Sequence, residues 1–210
     1  MEIPADTQTP RARILAAATH LFAEHGFKGT NTRAIAESAG VKQVMLHYYY
    51  GSKERLYEAV LKHEGLAMLT VIFGTDPDRK SSLDMLISSP IRLMTVLRDN
   101  PQWSSLLRRE IADGAEHLRA ALRDIGEHGP LGANLHFQDA YMDAVHEGKA
   151  VNLPVEAVGE CLLAIGYSAI YLAPLILMIS ERDIQDDAVW EEWTLTLSTI
   201  LHRGLLTDKP

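Results

Sequence analysis

Apolar residues recur at helical spacing along most of the chain, whereas strict alternation is scarce. The first apolar stripe follows the spacing i, i+1, i+4, i+7 and i+8 in a helix expected over residues 11–25: Ile14, Leu15, Ala18, Leu21 and Phe22. Later helices are expected near residues 81–99, 101–113, 115–127, 131–147 and 154–181, and a last helix has an acidic start at 183–187 and ends near 203; turn-rich connectors are expected at 74–80 and 148–153. This spacing predicts an all-α protein.

Residues 32–50, TRAIAESAGVKQVMLHYYY, predict two short helices joined by a tight turn. Thr32 is a hydroxyl residue of the kind that caps a helix start, and Gly40 can take the positive φ that a sharp turn requires. The second helix, from about residue 42 to 50, should bury Leu46 and either Tyr49 or Tyr50. Five side chains should point outward: Lys42, Gln43, Val44, His47 and Tyr48. Such a unit can place its second helix in the DNA major groove, although helical hairpins also occur in proteins that do not bind DNA.

The first third of the chain resembles the DNA-binding domain of TetR-family repressors. The matching features are AxxLFxxxGF at residues 18–27, IAxxAGV at 35–41, Leu46 with the aromatic run after it, and GSKExL at 51–56. The resemblance implies an amino-terminal, three-helix, helix-turn-helix DNA-binding domain followed by a connecting helix and a larger helical ligand-binding and dimerisation domain. The boundaries expected for these three parts are 1–51, 52–73 and 74–210.

The polar side chains of this region suggest how each would contact DNA. Gln43 can pair bidentately with adenine N6 and N7, and Arg33 can reach a guanine edge or a phosphate. Lys42 and Lys53 can neutralise phosphates, and Lys53 lies at the start of the connecting helix, where backbone N–H groups favour the same anion. The resemblance implies that these positions commonly contact DNA: Thr32, Arg33, Gln43, His47, Tyr48 and Lys53. The alternative for the cationic residues is that they are solvated surface charges.

Three residues depart from the family pattern. Val44 stands where a small residue is frequent, Met45 where a hydroxyl residue is frequent, and His47 where tyrosine is common. Val44 can contact a thymine methyl group, whereas Met45 removes one hydrogen bond to a phosphate. His47 and Tyr48 are expected to donate hydrogen bonds to backbone oxygens of the DNA. The departures leave the mode of binding unchanged and bear on the base preference.

The charge of the chain is unevenly distributed. Its 210 residues have a formal net charge of −8, which at first argues against DNA binding. Residues 1–63, however, hold 8 Lys and Arg against 6 Asp and Glu, and the remainder holds 12 against 22. A weakly basic amino-terminal region beside an acidic remainder fits a regulator better than a nonspecific DNA binder. The sequence has no GxSxG, HExxH or P-loop motif and no CxxC pair, so we expect neither an enzyme nor a metal or cofactor site.

Residues 161–180, CLLAIGYSAIYLAPLILMIS, form an uncharged run long enough to span a bilayer. Acidic residues flank it on both sides, and no positive-inside bias is visible. We therefore interpret the run as a buried helix of a soluble protein, with Cys161 as a buried thiol. Because residues 1–10 are polar and lack the apolar core of a signal peptide, we expect a cytoplasmic protein without a membrane partner.

Apolar residues repeat with spacings of three and four on the long helix and again on the last helix. By resemblance, two such helices from each of two subunits form a four-helix bundle. The residues expected at this homodimer interface are Ile165, Ala169, Leu172, Ile176, Trp193, Leu197 and Ile200.

The resemblance also implies a ligand pocket among the middle helices. Ordinary core packing is the alternative for each candidate residue. The candidates are Trp103, Leu107, His117, Asn134, His136, Phe137, Gln138, Tyr141, Tyr167 and Tyr171. A largely apolar effector with one or two polar groups fits this set.

These expectations describe a homodimeric repressor that binds a palindromic DNA operator and is released by a small-molecule effector. The alternative is a dimeric DNA-binding protein that responds to no effector.

Overall fold

A computed structural model of the chain describes residues 9–73, 83–123 and 133–207, and it confirms the prediction of an all-α protein. The expected connector at 74–80 lies outside the described residues. The described residues form ten α-helices: α1 (Pro10–Gly29), α2 (Thr32–Ser38), α3 (Gln43–Tyr50), α4 (Lys53–Phe73), α5 (Leu83–Asp99), α6 (Pro101–Ala112), α7 (Glu116–Leu122), α8 (Ala133–His146), α9 (Val155–Ser180) and α10 (Asp187–Leu205).

The helices divide into two compact units. The first, unit 1, comprises Met1–Ala67 and Asn100–Asp124 as far as they are described, and the second, unit 2, comprises Met68–Asp99 and Ile125–Pro210 within the same limit. The division falls inside α4, so this helix contributes residues to both units.

In unit 1, α1 packs against α2, α3 and α6. Three residues of the stripe expected on α1 are fully buried, Ile14, Ala18 and Phe22, and Leu15 and Leu21 at its edges are half-buried, because apolar residues at helical spacing share one face. The Phe22 ring meets the Tyr57 ring edge-on, with centroids 4.7 Å apart. At Gly26 the helix is interrupted by a backbone with φ 72°, a conformation in which glycine avoids a Cβ clash.

The grouping of α6 and α7 with the amino-terminal helices differs from the division expected from the sequence. The expected carboxy-terminal domain, 74–210, included both helices. Ser105 of α6 donates a hydrogen bond to the Ala23 carbonyl at 3.0 Å, and Arg109 Nη2 donates to the Glu24 carbonyl at 3.1 Å. These residues are more than 80 positions apart in the chain, so no local pattern could have indicated the contact.

In unit 2, α9 packs mainly on α5, and α8 and α10 complete the packing. Gly166 permits the close approach of α9 to α5, since a Cβ there would lie 2.8 Å from Leu93 Cδ2. The end of α10 is tied to the α8–α9 connector by a short antiparallel pairing of Ala150 with Leu206. There the Thr207 N–H donates to the Lys149 carbonyl at 2.9 Å.

Helix α9 is apolar on nearly all sides. Among the residues that the structure describes, it is the one helix long and apolar enough to cross a membrane by length and composition, with a mean hydropathy of 2.2 in its most apolar window. Core helices of soluble proteins can meet the same criteria. The expectation of a buried thiol is not met in the single chain: Cys161 is exposed, because α5 and α8 cover only part of the α9 surface.

Candidate nucleic-acid interface

The turn between α2 and α3 has the geometry expected for a helix-turn-helix. Gly40 takes φ 62°, its N–H donates to the Glu37 carbonyl at 3.1 Å, and the Val41 N–H donates to the Ala36 carbonyl at 3.0 Å. These two bonds form a Schellman motif, which ends a helix abruptly and satisfies its last carbonyl groups. The sharp reversal sets the angle at which α3 leaves α2.

The cap of α2 is Asn31, not Thr32 as the sequence analysis proposed. The Asn31 side-chain oxygen accepts a hydrogen bond from the Ala34 N–H at 2.9 Å, and Thr32 is the first helical residue. Both residue types can cap a helix, so the adjacent pair left a one-residue ambiguity, and the stronger capping preference of asparagine was the signal that could have resolved it. The Thr32 hydroxyl instead accepts a hydrogen bond from Gln43 Nε2 at 2.9 Å.

The outward and inward faces of α3 are those expected. Leu46 is fully buried, and Tyr50 is buried with its hydroxyl donating to the Arg11 carbonyl at 3.0 Å. Val44 is 66% exposed and Tyr48 is 78% exposed. Both side chains are therefore accessible for apolar contact, for example with thymine methyl groups in a groove. The other outward residues expected from the sequence are also exposed: Arg33, Lys42, Gln43 and His47.

His47 has an internal partner that restricts its role. Its Nδ1 lies 3.0 Å from the carbonyl oxygen of Gly51, so Nδ1 must carry a proton and donate. In the neutral ring, Nε2 is then an acceptor. The expected donation from His47 to a DNA backbone oxygen therefore requires the protonated imidazolium, whereas the neutral ring can only accept.

Lys53 also has partners within the protein. Its ammonium donates to the carbonyl oxygens of Phe27 and Thr30, both at 3.0 Å, and lies 4.2 Å from the centre of the Phe27 ring. An ammonium has three N–H donors, so one remains for a phosphate. Lys53 thus fixes the link between α1 and α2 to the start of α4.

Ser52 provides the expected cap of α4, because its side-chain oxygen accepts a hydrogen bond from the Arg55 N–H at 3.2 Å.

A buried carboxylate, Glu110, joins α6 to α7 within unit 1. Glu110 of α6 is 3% exposed, accepts a hydrogen bond from the Leu118 N–H at 3.0 Å, and lies 3.3 Å from His117 Nδ1. The His117 ring also packs against Phe27 and Tyr57, with centroid distances of 4.9 and 5.2 Å. Burial, with the Glu110 charge and hydrogen bond adding to it, raises the pKa of Tyr57 well above its usual range. Glu110 could not be identified from the sequence, since its partners lie on other helices or beyond a turn.

The expected ligand-pocket residues divide between the two units. Trp103, Leu107 and His117 belong to unit 1, where the first two are buried and His117 is engaged by Glu110. In unit 2, Tyr141 is fully buried with its hydroxyl donating to the Val151 carbonyl at 2.6 Å. The side chains of Asn134, His136 and Phe137 lie outside the described part of the chain.

Three further pocket candidates also belong to unit 2, and they are half-buried. Gln138 lies on α8, and Tyr167 and Tyr171 lie on α9 with ring centroids 6.5 Å apart. Burial, reinforced by Tyr171, raises the pKa of Tyr167 to about 12.

The expected dimer residues do not share one exposed face. Ala169 is buried within its own chain, and Ile165 and Leu197 pack against the core of unit 2, whereas Leu172 and Ile200 are 47% and 61% exposed. Ile176 and Trp193 are half-buried. An apolar groove of about 330 Å³ opens in this region of unit 2, lined among others by Met94, Ile165, Ala169, Trp193, Leu197 and Ile200. Other large exposed apolar residues extend this surface: Leu175, Met178, Ile179 and Leu195.

Comparison with known proteins gives consistent similarities. Residues 14–60 match bacterial regulatory proteins of the tetR family. Over 196 residues the chain is 29% identical to the HTH-type transcriptional regulator RutR of Escherichia coli (strain K12), a match that covers 91% of this chain and 88% of RutR. It is 30% identical over 134 residues to the HTH-type transcriptional repressor SCO4008 of Streptomyces coelicolor, which covers 60% of this chain and 69% of that protein. The solved structure of Salmonella enterica GusR shares the fold, with a TM-score of 0.65 at 22% identity over 93% of this chain and 95% of GusR.

Proposed function

Because this chain belongs to the TetR family of bacterial DNA-binding transcriptional regulators, we propose that it is a cytoplasmic repressor that binds a palindromic operator as a homodimer and is released by a small-molecule effector. The observation that carries the DNA-binding part is the outward face of α3. Its exposed Gln43, Val44 and Tyr48 are held on a short helix whose opposite face is anchored by fully buried Leu46.

We assign different tasks to Gln43 and Lys53. Gln43 at the start of α3 reads a base, and Lys53 contributes one remaining N–H to a phosphate. Gln43→Ala should cost about 1–3 kcal/mol on the best site and relax the preference at one position of each half-site. Lys53→Ala should weaken binding to all sequences and reduce the salt dependence. Binding-site selection from random DNA, followed by titrations at several salt concentrations, measures both effects. A change of sequence preference in Lys53→Ala but not in Gln43→Ala would contradict this docking.

Lys53→Ala also removes the two bonds to the Phe27 and Thr30 carbonyls, so a folding effect must be separated from a phosphate effect. Lys53→Arg retains the charge, and Arg55→Ala removes an exposed cation two residues away. Thermal unfolding of these variants reports on the fold, while the salt slope reports on the phosphate contact. A loss of stability without a change in salt slope would assign Lys53 a structural role alone.

The homodimer is supported by the apolar surface of α9 and α10. Only 22% of the most apolar window of α9 is buried in the single chain, so this surface needs a cover. A second copy covers it symmetrically, and symmetric contact fits a palindromic operator whose half-sites lie about 34–36 Å apart or a multiple of one helical turn. The alternative cover is a membrane, which the similarity to transcription regulators disfavours.

Leu172 is the position at which to test the dimer. Ala169 is unsuitable, because a charge at this buried position would disrupt the chain itself. Leu172→Glu should dissociate the dimer while leaving each chain folded, since the side chain is 47% exposed. Ile111→Glu on α6, where Ile111 is 46% exposed, is the matched control. Sedimentation at micromolar concentration distinguishes the two variants, and a monomeric wild-type protein would refute the proposal.

Release by an effector is proposed to act through α4. This helix has 21 residues, is about 30 Å long, and begins beside the helix-turn-helix, where Lys53 binds the α1–α2 link. A ligand that shifts the far end of α4 would alter the position of α3 relative to its operator groove. Release by 100-fold requires about 2.7 kcal/mol of coupling, and operator DNA must weaken ligand binding by the same factor.

A dimeric DNA-binding protein without an effector is the second candidate. Three of the expected pocket residues, Trp103, Leu107 and Tyr141, are buried in the protein core. Side chains that are packed in this way do not need a ligand to cover them, which favours the second candidate. A screen of apolar compounds for release of a selected operator tests the difference, followed by calorimetric titration of any hit with and without operator. Equal ligand affinities in the two titrations, or the absence of any releasing compound, would favour this second candidate.

A further inference from the structure

The first residues of α2 and α3 are joined by a side-chain hydrogen bond. Gln43 Nε2 donates to Thr32 Oγ1 at 2.9 Å, and the two residues are 11 positions apart. The Thr32 hydroxyl is available for this bond because Asn31, the residue before it, supplies the cap of α2. The bond therefore holds an exposed glutamine that would otherwise sample many rotamers.

We propose that Thr32 is a positioning residue that presents the Gln43 amide to adenine, an inference that rests on the proposed DNA binding. A glutamine amide has two N–H donors and one carbonyl acceptor. One N–H is engaged by Thr32, which leaves a second N–H and the carbonyl oxygen. This pair complements N7, an acceptor, and the N6 amino group, a donor, on the major-groove edge of adenine.

The bond improves base discrimination by ordering the side chain before DNA arrives. A glutamine that is already held loses less conformational freedom on binding than one that is free. A bidentate amide–adenine pair discriminates against other bases by about 5- to 150-fold. Loss of the ordering should reduce this preference by about 2- to 12-fold.

Thr32 has a second conceivable role, because its hydroxyl can also donate to a DNA phosphate. The two roles differ in their dependence on sequence. A phosphate contact strengthens binding to every sequence equally, whereas the positioning of Gln43 acts only at the base that Gln43 reads. They also differ in their dependence on Gln43 itself, since positioning has no effect once the amide is removed.

The test uses the full-length protein and four variants: Thr32→Val, Thr32→Ser, Gln43→Ala and the double variant Thr32→Val/Gln43→Ala. Thr32→Val keeps the shape and removes the hydroxyl, and Thr32→Ser keeps the hydroxyl. Ser38→Ala is the control, because Ser38 is an exposed hydroxyl residue at the other end of α2. Thermal unfolding checks that each variant is folded.

The wild-type protein is first used to select its site from random DNA. The base position whose preference disappears in Gln43→Ala is then varied among the four bases, and dissociation constants are measured for all proteins. We expect Thr32→Val to lower the adenine preference at this position by about 2- to 12-fold, Thr32→Ser to retain it, and the double variant to match Gln43→Ala. Ser38→Ala should leave the preference unchanged.

Two results would overturn the inference while leaving the proposed DNA binding intact. One is a Thr32→Val variant that weakens binding equally at all four bases and does so again in the Gln43→Ala background, which would identify a phosphate contact. The other is specific binding in which Gln43→Ala changes no base preference. Failure of the wild-type protein to select any DNA sequence would refute the proposed function and this inference together.

Discussion

Two glycines of α9, Gly159 and Gly166, should respond oppositely to replacement by alanine: the first substitution should stabilise the protein and the second should destabilise it. At Gly166, a Cβ would lie 2.8 Å from Leu93 Cδ2 and 3.2 Å from both Leu93 Cβ and Cγ. At Gly159, no atom of the described chain comes within 4 Å of the added Cβ, leaving aside its own helix backbone and chain neighbours. Both residues lie inside the same helix, so the two substitutions share their chemistry and differ in their surroundings.

The expected magnitudes follow from two opposing contributions. Alanine is favoured over glycine in a helix interior by about 0.8–1 kcal/mol, and this gain applies to both variants. At Gly166, overpacking against Leu93 should cost about 1–3 kcal/mol, since the Leu93 Cβ is attached to the backbone and cannot rotate away. We therefore expect Gly159→Ala to stabilise by about 0.4–1 kcal/mol and Gly166→Ala to destabilise by up to about 2 kcal/mol.

Urea unfolding followed by circular dichroism measures both free energies. All proteins must be compared at one concentration, because dimerisation would make stability concentration-dependent. Leu93→Ala provides a further check: combined with Gly166→Ala it should be less destabilising than the sum of the two single effects, because the shortened side chain makes room for the new methyl group. Equal stabilities of Gly166→Ala and Gly159→Ala would show that the Leu93 contact does not limit the space at residue 166.

Substitutions at three further positions test individual contacts. Glu110→Ala leaves His117 and the partly buried Leu118 N–H without their partner and should cost about 1–3 kcal/mol in thermal unfolding, whereas Glu110→Gln should cost less because it retains an acceptor. Tyr167 has a pKa raised to about 12, chiefly by burial, so its contribution to stability is complete below about pH 10 and is lost as the pH rises towards 12. Tyr167→Phe should therefore reduce the alkaline loss of stability measured between about pH 10 and 12, and an unchanged pH profile would contradict the assignment. Val44→Ala should alter affinity for selected DNA without changing stability by more than about 0.5 kcal/mol, because the side chain is 66% exposed, and a larger change in the melting transition would count against this.

The helix-turn-helix could be predicted because its signals are local. Gly40 stops α2 with a positive φ, Ser52 caps α4, and Leu46 is fixed inward by the helical period. Each of these features depends on residues within one or two turns of the chain. The prediction named Thr32 as the cap of α2, whereas the cap is Asn31. A one-residue error of this kind is expected where two residues that can cap a helix are adjacent.

Partners that come from distant parts of the sequence could not be predicted. The bonds of Lys53 to the Phe27 and Thr30 carbonyls, and the contacts of Glu110, arise only when several helices meet. The interface face of α9 was ambiguous for another reason. When a helix is apolar on nearly all sides, spacing alone does not decide which stripe faces the core, and Ala169 and Leu172 were assigned together although one is buried and the other exposed.

The discontinuity of unit 1 has a consequence for the construction of hybrid regulators. Hybrid regulators that exchange amino-terminal domains at a single junction assume that the DNA-binding unit is one continuous stretch of chain. In this chain such a stretch, cut anywhere near residue 67, would leave behind α6 and α7 and with them Ser105, Arg109 and Glu110. The transplanted helices would then expose Tyr57 and lose the partner of the Gly26 bend. A functional transplant from this protein should therefore carry residues 100–123 as a second insert, so that three junctions rather than one must be matched to the recipient.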